Sequence, residues 1–150
     1  MKVVLQTVNS AKVDILGKTV GQIGKGFLLL VGFTNGDDKE IVDRMVDKIL
    51  KLRVFADEHR QINLSIYDVN GDILSVSQFT LYANTKGGRR PSFVDAMRPY
   101  EAEELYDYFN KELEQQFNKT ISTGVFGADM IVSSDNDGPF TLILDSKELF

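Results

Sequence analysis

The first 33 residues hold four stretches with the pattern of β-strands, joined by connections too short for anything but reversal of the chain. Val3 to Val8, Val13-Asp14-Ile15, Thr19 to Ile23 and Gly26 to Phe33 are apolar or alternate with period two. Asn9-Ser10, Gly17-Lys18 and Gly24-Lys25 between them are turn signals. A parallel neighbour needs a crossover of about a dozen residues or more, so antiparallel pairing is expected here.

The pattern then changes period. Asn35-Gly36-Asp37-Asp38 opens a helix whose Ile41, Val42, Met45, Val46, Ile49 and Leu50 share one face, with acidic residues in the first turn and Lys48 and Lys51 near the end. Arg53 to Phe55, Ile62 to Tyr67 and Ile73 to Leu81 predict further strands, broken by Asp57-Glu58-His59-Arg60 and by the hairpin-type turn Asn70-Gly71-Asp72. From Asn84 to Arg98 the chain is polar, basic and glycine-rich, and a loop of that length in a compact domain is more often functional than accidental. Pro99 suits the first position of a second helix, with Ala102, Leu105, Tyr106, Phe109, Leu113 and Phe117 on its apolar face. Ile121 to Phe126, Asp129 to Ser134 and Phe140 to Leu144 close the chain as three strands, joined by Gly127-Ala128 and by a tight turn at Asp135-Asn136-Asp137-Gly138-Pro139. Many strands and two good helices predict an α+β fold, helices covering one face of largely antiparallel sheet.

Composition bounds the function. With 150 residues, 43% apolar and 26% charged, the chain is sized for one domain, residues 1–150, with a real core. The longest apolar run, Phe27-Leu28-Leu29-Leu30-Val31, is far short of the ~20 residues of a membrane span, so no membrane partner is expected. The N-terminal segment lacks a signal peptide's cleavage region, which points to the cytoplasm. There is no cysteine and only one histidine, which removes thiolate nucleophiles, thiolate metal sites and any mechanism needing two imidazoles. A net charge of −5 argues against sequence-independent DNA or RNA binding and confines any nucleic-acid contact to a local patch.

Three segments carry chemistry. Ser77-Gln78-Phe79-Thr80 places hydroxyls and an amide in an apolar strand, either as its outward face or as a strand end whose N–H groups meet a developing oxyanion. Asn136-Asp137-Gly138-Pro139-Phe140-Thr141 is a turn into the last strand, or a Gly-Pro step that holds a carbonyl where ordinary turns do not. Lys86-Gly87-Gly88-Arg89-Arg90 is the one basic cluster, either a solvated loop or a phosphate contact near that strand end. His59, between Glu58 and Arg60, has no partner in sequence for metal or base chemistry.

Together these segments resemble the bacterial D-aminoacyl-tRNA deacylase family over the whole chain. Ser77-Gln78-Phe79-Thr80-Leu81 matches its SQxT motif and Asn136-Asp137-Gly138-Pro139-Phe140-Thr141 its NxGPxT motif. Gly88-Arg89-Arg90-Pro91-Ser92-Phe93, Leu105-Tyr106-Asp107-Tyr108-Phe109 and Phe126-Gly127-Ala128-Asp129-Met130 support the match. The resemblance implies a homodimer of layered β/β/α, barrel-like subunits that hydrolyses the ester joining a D-amino acid to the 3′ end of tRNA, with glycyl-tRNA as a further substrate class and no cofactor or metal. It implies that Ser77, Gln78, Phe79 and Thr80 form the catalytic strand end and that Gly138, Pro139, Asn136, Thr141, Phe126 and Met130 contact substrate. Lys86, Arg89 and Arg90 would hold the acceptor end. The Gly-Pro element enters the other subunit's pocket and excludes L side chains, a rejection built from clash. For the attacking group the resemblance favours water activated by the 2′-hydroxyl of the terminal adenosine over Thr80 as nucleophile. The family usually has Gln-Arg-Val where this chain has Gln6-Thr7-Val8, so the cation that helps hold the Gly-Pro loop is missing and looser exclusion of L-aminoacyl-tRNA or glycyl-tRNA is expected. Two other readings compete: a non-catalytic module that binds the aminoacyl end of tRNA, and a general small-ester hydrolase.

Overall fold

The computed structural model describes every residue, Met1 to Phe150. In chain order the strands are β1 (Lys2–Ile15), β2 (Lys18–Ile23), β3 (Gly26–Gly32), β4 (Arg53–Ala56), β5 (Ile62–Ser65), β6 (Asp72–Ser77), β7 (Ser122–Thr123) and β8 (Ile131–Asp145). The helices are α1 (Lys39–Lys51), α2 (Pro99–Phe117) and the short α3 (Ser146–Leu149), the last of which sequence reasoning did not anticipate. The α+β expectation holds, with one difference. β1 pairs antiparallel with β2, β3 and β8, but β6 lies parallel to β3 and to β7, so the six-stranded sheet is mixed. The α1 crossover and the β4–β5 hairpin between β3 and β6 supply the length that a parallel return needs.

The sheet curls because β1 is long and irregular. Val3 and Leu5 join the core under the helices, whereas Val8, Ala11 and Val13 join a second apolar cluster with Ile23, Leu28, Leu74 and Val76. Within that second cluster the inward positions pass from even at Val8 to odd at Ala11 and Val13, which requires an extra residue, and the register against β8 slips there between Val8 and Ser10. Asn9-Ser10 is therefore a bulge inside one strand and not the expected break between two. Past the bulge, β1 carries β2 across β6 and β7, so closely that a Cβ on Gly21 would lie 2.7 Å from the Thr123 carbonyl oxygen. Ser122 Oγ donates to Gln22 O at 3.0 Å and completes a nearly closed barrel.

The outer face of the barrel is covered by α1 and α2. On α1, Asp38 caps the helix by accepting from Ile41 N at 3.0 Å, and Val42, Met45, Val46, Ile49 and Leu50 are buried. On α2, Pro99 sits in the first turn as expected, and Ala102, Tyr106, Phe109, Leu113 and Phe117 are buried. Tyr106 donates to Ser75 O at 2.9 Å and Tyr108 to Asp43 Oδ1 at 2.8 Å, tying α2 to β6 and to α1.

Two further strand expectations are corrected. β6 ends at Ser77, and Phe79–Tyr82 form a single 3₁₀ turn, because the Gln78 N–H still reaches Val31 O at 2.7 Å but its backbone then leaves the sheet. The last two predicted strands are one, β8, running antiparallel along β1 from Ile131 to Asp145. The predicted tight turn at Asp135 to Pro139 is an arch within that strand. Gln6 opposes Thr141 and Val8 opposes Asn136, so Thr7 alone faces the four residues Asp137 to Phe140, which are thrown out of the ladder.

Candidate active site

The C-terminal ends of the parallel strands β3 and β6 open into a cleft of about 730 Å³. Its floor is Val31, Gly32, Phe33, Val76, Ser77 and Gln78; Phe126 to Met130 and Val132 form one wall, and Phe93, Val94 and Ala96 to Pro99 the other. Gly32 is required for the close approach: a Cβ there would sit 2.7 Å from the Gln78 carbonyl oxygen.

The polar edge of the cleft is built from the break at Gln78. The N–H groups of Phe79 and Thr80 open the 3₁₀ turn and so have no acceptor within it. Gln78 Nε2 donates to Thr80 Oγ1 at 2.5 Å. The rings of Phe79 and Phe93 meet edge to face with centroids 5.0 Å apart, joining the turn to the opposite wall. Behind this edge, Tyr106 and Ser75 are fully buried, and burial raises the Tyr106 pKa, keeping its phenol protonated as a donor.

Five of the residues singled out from sequence, Ser77, Gln78, Phe79, Phe126 and Met130, therefore line one cleft, although they come from two separate segments. Thr80 lies in the 3₁₀ turn at its edge. Gly138 and Pro139 do not line it. They stand exposed at the crest of the β8 arch, joined by a cis peptide bond. Asn136 and Thr141 brace the arch: Phe140 N donates to Asn136 Oδ1 at 3.0 Å, and Gln6 Nε2 donates to Thr141 Oγ1 at 3.2 Å.

The basic segment is the exposed tip of a loop pinched by the bridge between Asn84 and Ser92. Lys86 borders a second, smaller cleft of about 280 Å³ beside Lys2, Tyr82 and Asp95, while Arg89 and Arg90 project into solvent. None of the three cations is in an ion pair. His59 is exposed, with Nε2 3.4 Å from Glu58. Sequence reasoning missed Met97 and Arg98 as cleft-lining residues, because nothing local marks a loop residue as facing a particular strand end. It also missed the hydrogen bond of Thr7: the hydroxyl donates to Asp137 O at 2.8 Å.

The family model for D-Tyr-tRNA(Tyr) deacylase matches residues 4–145. The D-aminoacyl-tRNA deacylase of Lactobacillus acidophilus is 63% identical over 145 residues, covering 97% of this chain and 99% of that protein. That of Thermosipho melanesiensis is 49% identical over 150 residues, the whole of both chains. Among solved structures, the "c-Myc DNA Unwinding Element Binding Protein" superposes with a TM-score of 0.91 at 39% identity, over 97% of this chain and 98% of that one. A "probable eukaryotic D-amino acid tRNA deacylase" shares the fold, with a TM-score of 0.83 at 20% identity over 95% of this chain and 97% of that one.

Proposed function

The chain belongs to the D-Tyr-tRNA(Tyr) deacylase family, and we propose that it acts as a D-aminoacyl-tRNA deacylase through the cleft at Ser77 to Thr80, with the Gly138-Pro139 arch of a second copy as its chiral gate. The observation that carries this reading is the placement of Ser77, Gln78, Phe79, Phe126 and Met130 around one cleft. Family membership favours an enzyme over a non-catalytic module.

In this mechanism the aminoacyl ester lies with its carbonyl oxygen toward the N–H groups of Phe79 and Thr80. These stabilise the charge that develops as water attacks. No imidazole or thiol lines the cleft, and its one carboxylate, Asp129, makes no hydrogen bond to the Thr80 hydroxyl, which instead accepts from the Gln78 amide. The 2′-hydroxyl of the terminal adenosine supplies the missing function as a relay: it orients the water and takes a proton from it while passing its own proton to the departing 3′-oxygen. The acyl–oxygen bond then breaks, and the 3′-oxygen leaves protonated. Glycyl-tRNA enters the same cleft because glycine has no side chain to reject.

In this reading the gate comes from another subunit. Val132 lines the cleft, and Asn136 lies four residues further along an extended strand, roughly 13 Å away at ~3.3 Å per residue. The arch thus lies outside the lining of its own cleft. Ile131 and Ile143 on the same strand are 70% and 72% exposed, an apolar setting that a homodimer would cover. The three unpaired cations at the loop tip give an acidic chain one local grip on the acceptor strand.

The test is release of amino acid from matched D-Tyr-tRNA and L-Tyr-tRNA by the purified protein, with spontaneous hydrolysis subtracted. Rapid cleavage of the D ester alone is expected. A D substrate whose terminal adenosine lacks the 2′-hydroxyl should bind but turn over at least ~100-fold more slowly, the usual contribution of a general base. Equal turnover of that substrate would return the base function to the protein.

A further inference from the structure

The Gly138-Pro139 arch is held at both ends by side chains that act on the two peptide planes flanking it. Thr7 Oγ1 donates to Asp137 O at 2.8 Å and fixes the Asp137–Gly138 plane. Asn136 Oδ1 accepts from Phe140 N at 3.0 Å and fixes the Pro139–Phe140 plane. Between these planes lies the Gly138 carbonyl, on a residue whose φ of 131° only glycine adopts readily. Pro139 has no N–H, so this middle peptide has no donor with which to anchor itself.

Thr7 is suited to this role by position and by side chain. It is the one β1 residue opposite the arch, and its own ladder partner on the other side is Phe27 of β3, so its backbone is fixed. Its side chain is 4% exposed, where a hydroxyl without a partner would be unfavourable. A β-branched side chain on a strand has a restricted χ1, so the hydroxyl points at Asp137 with little freedom left to lose. The expectation of a poorly held loop at a position without a cation overlooked this direct bond.

We infer that Thr7 is the positioning residue that aims the Gly138 carbonyl, and so sets how strictly the enzyme rejects L-aminoacyl esters. The inference rests on the reading of the arch as the chiral gate. A carbonyl that excludes a side chain by clash does so only while it cannot swing aside. Losing the Thr7 bond frees the Asp137–Gly138 plane, and the permissive glycine turns that freedom into movement of the carbonyl.

The experiment compares kcat/KM for D-Tyr-tRNA and L-Tyr-tRNA in the parent, Thr7→Val, Thr7→Ser and Gly138→Ala proteins, with thermal midpoints measured alongside. In Thr7→Val, isosteric but without the hydroxyl, the D-to-L ratio should fall about fivefold or more, the factor one hydrogen bond commands, chiefly through faster cleavage of the L ester. Thr7→Ser, which keeps the hydroxyl, should stay near the parent ratio. A purely structural role would lower the midpoint, or both rates together, and leave the ratio alone; that result overturns the inference. An added Cβ on Gly138 would stand 2.9 Å from Phe140 N, so Gly138→Ala distorts the arch independently of Thr7. If Gly138→Ala, or Pro139→Gly should the first not fold, shifts the ratio while Thr7→Val does not, the Thr7 inference fails and the gate stands. If neither shifts it, the gate itself is wrong.

Discussion

Replacing Tyr106 with Phe removes one oxygen from the layer between α2 and β6, and the structure sets the size of the effect. Tyr106 is 2% exposed and Ser75 is fully buried. The phenol donates to Ser75 O at 2.9 Å, and Ser75 Oγ donates back to the phenol at 3.3 Å. An unsatisfied buried polar group costs about 1–3 kcal/mol. Of the two Ser75 groups, the carbonyl keeps its bond from Gly124 N at 3.1 Å, so the serine hydroxyl is the one left without a partner. The expected loss is therefore in the lower half of that range, about 1.5–2 kcal/mol. For a chain of this size, at about 2–4 °C per kcal/mol, the melting temperature should drop by about 3–8 °C. Urea unfolding should show a lower midpoint with the same m-value. Ser75→Ala in the Tyr106→Phe background should restore part of the loss, because the orphaned hydroxyl is then gone. Turnover well below the melting range should change little, since Gln78 keeps its own tie to Val31 O. A Tyr106→Phe stability within about 0.5 kcal/mol of the parent, the scatter of surface substitutions, would refute the claim that this pair needs its partner.

Asp68 accepts from Ser65 N and Ser65 Oγ, both at 2.8 Å, and the backbone bond first and the hydroxyl second hold its carboxyl below the ordinary carboxylate range. A depressed folded-state pKa contributes stability that is present above pH ~4 and lost as pH falls through the folded value, so Asp68→Asn should flatten the acid limb of a stability–pH curve. Tyr108 has the opposite sign: its bond to Asp43 pushes its pKa up to about 12, so its contribution is present below pH ~10 and lost as pH rises through that value. Tyr108→Phe should remove that alkaline loss, and phenolate absorbance should show one fewer late-titrating tyrosine. Neutralising Lys86, Arg89 and Arg90 together should reduce the salt slope of tRNA binding by about 2, at ~0.7 per single-strand phosphate, while single-turnover cleavage of bound ester is unchanged. Thr80→Ala should retain much of its activity, and loss of nearly all turnover in a folded protein would make Thr80 the nucleophile.

What the sequence made legible depended on how local the cause was. The two long helices follow from apolar spacing and from residues within each helix, so Ile49 and Phe109 were placed in the core without any knowledge of their neighbours. The parallel course of β6 had no local signature, because strand direction is settled by what the crossover packs against. The arch was misread for a related reason. Asp-Gly-Pro is turn chemistry wherever it occurs, and only the continuous β1 opposite it shows that the chain leaves the ladder and returns to it. Ser77, Gln78, Phe79, Phe126 and Met130 could be grouped through motif resemblance, whereas Met97 and Arg98 occupy a loop whose facing surface is fixed by the fold alone. Thr7 illustrates the limit most clearly. A missing charge is visible in sequence, but the bond that the Thr7 hydroxyl makes needs Asp137, 130 positions away, to be in reach.

The separation of cleft and arch on one strand also bears on how so few ionisable groups can serve a selective reaction. β8 presents Val132 to its own cleft and Gly138 to solvent, and in the proposed dimer each arch would enter the other copy's cleft. In that arrangement the chiral gate is made of backbone carbonyls, and the oxyanion site of backbone N–H groups. Side chains such as Thr7, Asn136 and Gln78 act by holding the main chain in place. Selectivity and rate then depend on the rigidity of two backbone segments more than on any titrating residue. It follows that cleavage of the D ester should vary little with pH across the range where the protein stays folded, apart from the ordinary hydroxide dependence of the ester itself. A bell-shaped profile with a carboxylate or imidazole limb would show instead that a protein side chain carries the proton.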